Sequence, residues 1–312
     1  MDFKTTLNKL GSDNEPFFFV VNYDLSQYDV IKLSEIPDSV KYSLGENTPL
    51  SKPKSLQYNA INFDDYKCKF NKVLENIKSG NTYLLNLTQA TNINTNLSLE
   101  QIYNSANAKY KLLYKDQFVC FSPEKFIDIN DNIISTYPMK GTIDASISNA
   151  KEKILCDQKE IAEHTMVVDL LRNDLSIVSS HVKVDKFRYC EKISAGDKEL
   201  IQVSSKISGL LKDNWHEKIG DILTSILPAG SITGTPKKKT IDIINDVEEY
   251  NRDYFTGVCG IYDGKSLESF VMIRFIQKQS DKSLIYKSGG GITCDSDVKK
   301  EYQEMCDKVY IP

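Results

Sequence analysis

The sequence predicts an α+β fold built on antiparallel sheets. Predicted strands come in runs joined by turns, and a few helices interrupt these runs instead of following each strand. Asp263-Gly264 separates two apolar stretches, as in a two-residue β-hairpin turn. Because strands and helices do not alternate, the pattern disfavours a doubly wound parallel sheet. With 312 residues, 40% of them hydrophobic, the chain can bury a substantial core.

The first 60 residues are predicted to form a short segment of strands and loop. Residues 15–33 contain two apolar stretches separated by a turn. Residues 34–60 are rich in Ser, Pro, Asn and Lys, which is typical of a loop. We therefore divide the chain into an N-terminal segment, residues 1–60, and one larger domain, residues 61–312.

Hydrophobic periodicity predicts the elements of the larger domain. Its first helix covers residues 64–78, where apolar side chains recur at helical spacing, and Ser79-Gly80 ends it. Further strands are predicted at residues 82–90, 118–121, 125–129, 132–136, 199–209, 256–262, 269–277 and 283–287. Further helices are predicted at residues 150–173, 215–226, 237–251 and 298–309. A run of three glycines connects the last strand to the last helix.

Composition narrows the classes of function. The net charge is −4 and the isoelectric point about 5.6, which argues against a nucleic-acid partner. No apolar run approaches the ~20 residues of a membrane-spanning helix, and the N-terminus does not resemble a secretory signal. Seven scattered cysteines, never spaced CxxC, suit reduced thiols. We expect a cytoplasmic protein without a membrane partner.

Two pairs of glutamates have the same spacing on predicted helices. Glu160 and Glu163 are three residues apart, as are Glu301 and Glu304, so each pair can lie on one helix face. Carboxylates are ligands that Mg²⁺ prefers, and four of them could form a magnesium site. Ordinary surface charge is the alternative, because Glu304 and Lys308 also have the spacing of a helical ion pair.

Two glycine-rich stretches precede helices, where backbone N–H groups favour anions. Residues 228–237 read PAGSITGTPK and lack the Gly-Lys-Ser/Thr ending of a P-loop. The glycines at residues 289–291 would let a carboxylate approach the backbone. Arg274, on a predicted strand, can bind a carboxylate through two donors. Together these features predict a substrate with more than one carboxylate, although each stretch could also be a simple tight turn.

Lys140 is a candidate nucleophile or base. It stands between Met139 and Gly141 at the end of a predicted strand. A partly buried lysine at such a place can be available as the neutral amine. The alternative is an exposed lysine in a turn.

Several ordered motifs resemble the chorismate-utilising family. They are SPEKF (122–126), PMKGT (138–142), KEIAEHTMVVDLLRNDLS (159–176), PAGSITGTPK (228–237), MIR (272–274) and GGGITCDSDVKKEYQE (289–304). The family includes the large subunits of anthranilate and aminodeoxychorismate synthases, and isochorismate and salicylate synthases. The resemblance spans roughly residues 66–310 and implies two antiparallel sheets packed as a sandwich with helices outside.

The resemblance also implies roles for individual residues. Magnesium ligands fall on Glu163 and Glu304, with Glu160 and Glu301 beside them. Glu124 matches the acid/base carboxylate that acts on the leaving C4 hydroxyl. The positions that match substrate-binding residues are Thr142, His164, Thr233, Gly234, Arg274, Gly289, Gly290, Gly291 and Lys308.

Within the family, the sequence is more similar to the aminodeoxychorismate synthases. Lys140 stands where anthranilate synthases usually have Ala. Leu84 stands where the isochorismate and salicylate synthases carry the lysine that activates water. His164 and Phe255 depart from the pattern, since aminodeoxychorismate synthases often have Asn at the first position and many anthranilate synthases have Tyr at the second. Only about 60 residues precede the motifs, so we expect a short form without tryptophan feedback.

The implied reaction is amination of chorismate to 4-amino-4-deoxychorismate, which leads to p-aminobenzoate and folate. Ammonia would come from a separate glutamine amidotransferase subunit, because no glutaminase segment is found in the sequence. Two alternatives stay open. The chain could be the large subunit of an anthranilate synthase, or a catalytically inactive sensor that binds chorismate or an amino acid.

Overall fold

The computed structural model describes residues 1–45, 54–195 and 198–312. The chain divides into two compact units, each made of three stretches of sequence. The first unit contains Met1–Pro37, Glu124–Ser231 and Thr256–Val271, and the second contains Asp38–Pro123, Ile232–Phe255 and Met272–Pro312. The N-terminal segment contributes to both units. The expected division at residue 60, close to the undescribed residues 46–53, stays a prediction.

The described residues form eight α-helices and nineteen strands. The helices are α1 Phe3–Ser12, α2 Phe63–Lys78, α3 Leu99–Ser105, α4 Ala150–Cys156, α5 Gln158–Val178, α6 Ile219–Ile226, α7 Lys237–Val247 and α8 Val298–Asp307. The strands are β1 Phe17–Val21, β2 Tyr28–Lys32, β3 Val40–Leu44, β4 Lys54–Ser55, β5 Gln57–Asn59, β6 Leu84–Asn94, β7 Tyr110–Tyr114, β8 Phe118–Ser122, β9 Lys125–Asn130, β10 Ile133–Thr136, β11 Met139–Asp144, β12 Ser180–Ala195, β13 Lys198–Leu210, β14 Gly234–Thr235, β15 Val258–Tyr262, β16 Leu267–Val271, β17 Phe275–Lys278, β18 Leu284–Ile292 and β19 Tyr310–Ile311. Within the described ranges, no helix is both long and apolar enough to cross a membrane.

Each unit is built on one large antiparallel sheet. The sheet of the first unit has the order β11-β13-β10-β9-β16-β15-β1-β2, with β12 also paired to β13. The sheet of the second unit has the order β14-β6-β18-β17-β8-β7-β3, with β5 also paired to β6, and β4 pairs with β19 separately. The α+β class with two antiparallel sheets is confirmed.

Several predicted elements were wrong in detail. The strand expected at residues 269–277 is two strands, β16 and β17, which belong to different sheets. Arg274 lies between them with φ 51°, and such a left-handed backbone cannot continue an extended strand. The loop expected at residues 34–60 contains β3, β4 and β5 in its described part. The helix expected at residues 150–173 is two helices, α4 and α5. The helix expected at residues 237–251 ends at Val247.

In the first unit, the helices α4 and α5 pack on the strand that carries Lys140. Ala150 and Ile154 of α4 form a small buried cluster with Ile201 and Val203 of β13, the strand paired with β11. Burial of a Val or Ile side chain contributes roughly 1.5–3 kcal/mol. This cluster therefore holds β11 at the end of its sheet, against the face of the helices.

In the second unit, α2, α7 and α8 share one apolar cluster with strands β6 and β18. The strands contribute Leu85, Leu87 and Ile292, and α8 contributes Met305 and Cys306. This cluster fixes α8, with its two predicted magnesium ligands, beside the triple glycine of β18.

The second unit also buries a dense group of charged side chains. Glu248 and Arg252 are each 2% exposed, and Arg252 Nη2 lies 2.6 Å from Glu248 Oε1. Arg252 Nη1 donates to Ile232 O (2.9 Å), and the backbone N–H of Thr88 donates to Glu248 Oε1 (2.8 Å). The pair is saturated with hydrogen bonds, as a buried ion pair must be if it is not to destabilise the fold.

Lys287 of β18 is a second buried cation, 1% exposed. Its ammonium donates to the carbonyl oxygens of Asn251 (3.1 Å) and Arg252 (2.9 Å), and lies 3.5 Å from Asp253 Oδ2. Burial lowers the pKa of Lys287 to about 8 from an ordinary 10.5, although Asp253 opposes this shift. A buried lysine with a lowered pKa links the stability of the unit to pH.

We expect Lys287→Met to change how stability depends on pH. The folded-state pKa is below the unfolded one, so the unfolded chain binds more protons between pH 8 and 10.5, and stability rises with pH there. Relative to Lys287→Met, the wild type should gain about 2 kcal/mol in free energy of unfolding between pH 7 and pH 9.5. Urea unfolding at several pH values measures this difference.

The matched control is Lys265→Met, which removes an exposed lysine from the turn between β15 and β16. Its side chain is exposed, so the variant removes a lysine without removing a buried amine, and its curve of stability against pH should run parallel to that of the wild type. If the curve of stability against pH for Lys287→Met is also parallel to that of the wild type, the buried amine does not titrate in this pH range.

Candidate active site

Lys140 lies in β11 of the first unit, where it pairs with a buried carboxylate. Its Nζ is 2.8 Å from Glu163 Oε2, and the two side chains are 26% and 5% exposed. Lys159, one turn earlier on α5, places its Nζ 3.4 Å from Glu163 Oε1. The lysine is thus partly buried, with its amine anchored by charge and its side chain still accessible.

The first predicted pair of metal ligands lies on one side of α5, as its spacing predicts. Glu160 Oε2 and Glu163 Oε1 are buried and accept no hydrogen bond from the described residues. Burial raises the pKa of Glu160, with the Lys140 charge opposing the shift and the Glu163 charge adding to it. Glu163 is buried and Glu160 is half-buried, and the charges of Lys140 and Lys159 act on both carboxylates.

Gly141 allows this close approach of carboxylate and strand. Its φ is 94°, and a Cβ atom at this position would lie 2.8 Å from Glu160 Oε2. The left-handed backbone conformation favours glycine here, and the missing side chain leaves room for the Glu160 carboxylate against the strand. Thr142, the next predicted substrate-binding residue, is exposed on the same strand.

Glu124, the predicted acid/base residue, lies just before β9 in the first unit. The hydroxyl of Ser231 donates a hydrogen bond to Glu124 Oε1. This contact gives the carboxyl group one orientation while leaving its side chain partly exposed. Ser231 stands in the glycine-rich stretch identified from sequence, but nothing in the sequence indicates its partner.

His164 of α5 is fully buried, and both of its ring nitrogens contact protein atoms. Nδ1 lies 3.2 Å from Lys140 O, and Nε2 lies 2.7 Å from Ser205 Oγ. Burial lowers the pKa of the imidazole, although the contact with Lys140 O opposes the shift. The predicted substrate-binding role of His164 stays a prediction.

The second predicted carboxylate pair lies on α8 of the second unit, beside the triple glycine. Glu304 Oε1 is 2.9 Å from Lys308 Nζ, which also donates to Gly289 O (2.7 Å), and Ser296 Oγ donates to Glu301 Oε1 (2.9 Å). A Cβ atom on Gly290 would lie 3.5 Å from Glu301 Oε2 and 3.8 Å from Glu304 Oε1. The structure therefore brings Glu301, Glu304, Lys308 and Gly290 together.

The triple glycine is part of a strand, not the connecting stretch that the sequence predicts. Gly289, Gly290 and Gly291 pair with Thr88, Leu87 and Asn86 of β6. A Cβ atom on Gly289 would lie 2.4 Å from Leu87 O, so the neighbouring strand excludes any larger residue there. The glycines thus expose backbone at the surface of a sheet that α8 approaches.

Thr233, Gly234 and Arg274 also belong to the second unit. Thr233 is buried, and its carbonyl accepts a hydrogen bond from the backbone of Asn86 (2.8 Å). Gly234 has φ 138°, and a Cβ atom would lie 1.9 Å from Leu84 O, so glycine is required there. Arg274 places its guanidinium carbon 5.2 Å from the centre of the Tyr310 ring. Stacking of this kind orients an arginine.

The donor groups in each unit suit a hard cation. The carboxylates of Glu160 and Glu163 are ligands of the kind that Mg²⁺ takes, and Glu160 Oε2 is buried without a hydrogen bond from the described residues. In the parts of the chain that the structure describes, no three His, Cys, Asp or Glu side chains gather as a metal site. Magnesium binding therefore stays a prediction for all four glutamates.

The chain is similar to proteins that act on chorismate. The family model for chorismate binding enzyme matches residues 13–312. An uncharacterized PabA-like protein of Haemophilus influenzae is 46% identical over 311 residues, which cover 98% of this chain and 94% of that protein. Aminodeoxychorismate synthase component 1 of Bacillus subtilis is 29% identical over 317 residues, which cover 96% of this chain and 64% of that protein.

The fold recurs in a solved structure. The menaquinone-specific isochorismate synthase MenF of Escherichia coli matches with a TM-score of 0.73 at 15% identity, over 97% of this chain and 79% of that protein. The resemblance inferred from the motifs is thus confirmed by a family match over almost the whole sequence. This chain belongs to the family of chorismate-binding enzymes.

Proposed function

We propose that this protein is the chorismate-aminating component of an aminodeoxychorismate synthase. The observation that carries the proposal is Lys140, a partly accessible lysine whose amine lies 2.8 Å from the buried Glu163 carboxylate. Its position matches that of a lysine in aminodeoxychorismate synthases, and Bacillus subtilis aminodeoxychorismate synthase component 1 is a relative over most of the chain. The product would be 4-amino-4-deoxychorismate, a precursor of p-aminobenzoate and folate.

In the first step, Lys140 displaces the C4 hydroxyl of chorismate. The neutral amine attacks C2, the C1=C2 and C5=C6 double bonds shift to C1=C6 and C4=C5, and the C4–O bond breaks. Glu124 donates a proton to the departing hydroxyl, which leaves as water. The Ser231 hydroxyl holds Glu124 in one orientation for this transfer. One proton of the attacking amine is released, so the adduct is chorismate joined to lysine with loss of one water.

In the second step, ammonia releases the product. Ammonia attacks C4, both ring double bonds shift back to C5=C6 and C1=C2, and the C2–N bond to Lys140 breaks. The proton lost by the incoming nitrogen is taken up by the departing lysine nitrogen. The net reaction consumes chorismate and ammonia and forms 4-amino-4-deoxychorismate and water.

The Lys140–Glu163 pair sets a condition on this chemistry. A carboxylate beside an ammonium favours the protonated form, and only the free amine has a lone pair for attack. Lys140 must therefore leave its contact with Glu163 before it reacts. Glu160, Glu163, Glu301 and Glu304 are the proposed ligands of Mg²⁺, which, when bound, would neutralise carboxylate charge and anchor a substrate carboxylate.

The proposal includes a partner and a location. A separate glutamine amidotransferase would supply ammonia, and the scattered cysteines support a cytoplasmic location. Anthranilate synthesis is the alternative, which His164 favours and Lys140 opposes. An inactive sensor would not require Glu124, Lys140 and the four glutamates together.

Direct assay of the product tests the reaction. Purified protein with chorismate, Mg²⁺ and ammonium at raised pH should form 4-amino-4-deoxychorismate, because free NH₃ is more abundant there. With glutamine in place of ammonium, product should form only after an amidotransferase subunit is added. Mass and fluorescence of the product distinguish it from anthranilate. Anthranilate as the main product, or no consumption of chorismate, would contradict the proposal.

The covalent step can be tested without ammonia. We expect chorismate alone to modify the peptide that contains Lys140, by the mass of chorismate less one water, as detected by mass spectrometry. Glu124→Gln should slow formation of the adduct by about 100-fold to 10,000-fold, the usual contribution of a general acid. Lys140→Ala should form none.

Lys159→Ala is the matched control, because Lys159 also contacts Glu163 (3.4 Å) and is more exposed. The adduct at Lys140 should persist in this variant. An adduct on Lys159, or full amination by Lys140→Ala, would show that Lys140 is not the nucleophile.

The metal ligands can be tested by binding as well as by rate. Glu163→Gln and Glu304→Gln should each lower the affinity for Mg²⁺ and the amination rate by on the order of 100-fold, because an amide lacks the ligand charge. Calorimetry measures Mg²⁺ binding, and circular dichroism verifies the fold. Glu152→Gln, an exposed carboxylate on α4, is the control. Unchanged Mg²⁺ affinity in both variants would refute the assignment.

A further inference from the structure

We propose that His164 is a positioning residue for Lys140, which acts through the Lys140 backbone and does not contact substrate. The inference rests on the proposed role of Lys140 as nucleophile. It departs from the role that the sequence resemblance implies for His164. The residues that carry it, His164, Ser205, Lys140 and Pro138, all belong to the first unit.

Both nitrogen atoms of the His164 ring are committed to the protein. The carbonyl of Lys140 can only accept a hydrogen bond, so Nδ1, at 3.2 Å, carries the hydrogen and donates it. Nε2 is 2.7 Å from the Ser205 hydroxyl, and the side chain is fully buried. The ring therefore has no free nitrogen with which to bind a substrate.

Ser205 holds the same stretch of chain from its other side. Its backbone N–H donates to Pro138 O (3.0 Å), two residues before Lys140. Its hydroxyl accepts a hydrogen bond from the backbone of Arg188 (2.9 Å) and contacts His164. The guanidinium of Arg188 in turn donates to Leu155 O and Ile154 O, both at 2.8 Å. His164 is thus held on a framework that reaches α4.

The strand needs this support where Lys140 stands. The register between β11 and β13 shifts between Met139 and Thr142, and Gly141 between them has φ 94°. Such an irregularity interrupts the ladder of backbone hydrogen bonds and redirects a side chain. The His164 contact on the Lys140 carbonyl fixes the backbone at this point, and thereby the direction in which the Lys140 amine leaves the strand.

Replacing His164 by Asn or by Gln tests the two contacts of its ring separately. In His164→Asn, the side-chain nitrogen can occupy the place of Nδ1 and donate to Lys140 O. In His164→Gln, the longer side chain reaches the place of Nε2, beside Ser205, and leaves the carbonyl without this donor. Both are neutral and polar, so packing and charge change in a similar way.

The experiment measures adduct formation from chorismate alone, together with KM and kcat in the complete reaction with ammonium. We expect His164→Asn to form the adduct at a rate within about threefold of the wild type, and His164→Gln to be about tenfold to 100-fold slower, the scale of a misplaced reacting group. KM for chorismate should stay within about twofold in both, since ground-state binding is not altered.

Different outcomes identify different failures. Equal rates of adduct formation in His164→Asn and His164→Gln would overturn the positioning role. A raised KM with unchanged kcat would also overturn it, because it would indicate that His164 contacts the substrate. A wild type that forms neither adduct nor product would instead overturn the proposed function, and the inference with it. Urea unfolding shows whether either variant is folded.

Ser205→Ala provides a second route if His164→Gln does not fold. It keeps the backbone contact with Pro138 and removes the hydroxyl that orients the ring. We expect slower adduct formation, by about threefold to tenfold, with KM unchanged, because one buried hydrogen bond is lost. A folded Ser205→Ala protein with the wild-type adduct rate would contradict the proposal.

Discussion

The ion pair between Lys140 and Glu163 constrains the whole first unit. A lysine ammonium and a carboxylate that is 5% exposed are stable together only if their geometry is held, because each would be costly to bury alone. Neighbouring elements provide that geometry. The α4 cluster holds the sheet, Gly141 lets Glu160 approach the strand, and His164 contacts the Lys140 carbonyl. These three contacts together place one amine and two carboxylates.

The two carboxylates of α5 differ in how their charge is compensated. Glu163 has cationic contacts on both oxygens, whereas Glu160 Oε2 is buried without a hydrogen bond, and burial raises the pKa of Glu160. A carboxylate in this condition gains from any cation that reaches it, whether a proton or a metal ion. Any further cation at the Glu163 carboxylate would have to displace Lys140 or Lys159, which already contact its two oxygens.

Much of the fold could be predicted from periodicity, and the failures have physical causes. The helices α2 and α5 show apolar residues at helical spacing. The hairpin at Asp263-Gly264 forms, but four residues, 263–266, connect its strands instead of the two expected, because Tyr262 pairs with Leu267. Residues 269–277 are almost continuously apolar, so nothing in the pattern reveals that Arg274 turns left-handed and sends the chain to another sheet. The sequence motifs identified Lys140 and Glu163 as candidate site residues. They could not identify Ser205 or the buried Lys287, because the partners of these residues are distant in sequence or are backbone atoms.

Glycine has the same local purpose in both units. Beside Gly141 a Cβ atom would be 2.8 Å from Glu160 Oε2, and beside Gly290 it would be 3.5 Å from Glu301 Oε2. In each case, two carboxylates of a helix lie beside a strand residue that has no side chain. At Gly141 the bare backbone leaves room for the Glu160 carboxylate, whereas at Gly290 a Cβ atom would stand at ordinary contact distance from Glu301. The spacing of glutamates on a helix is therefore one part of each arrangement, and the glycine in the facing strand is the other.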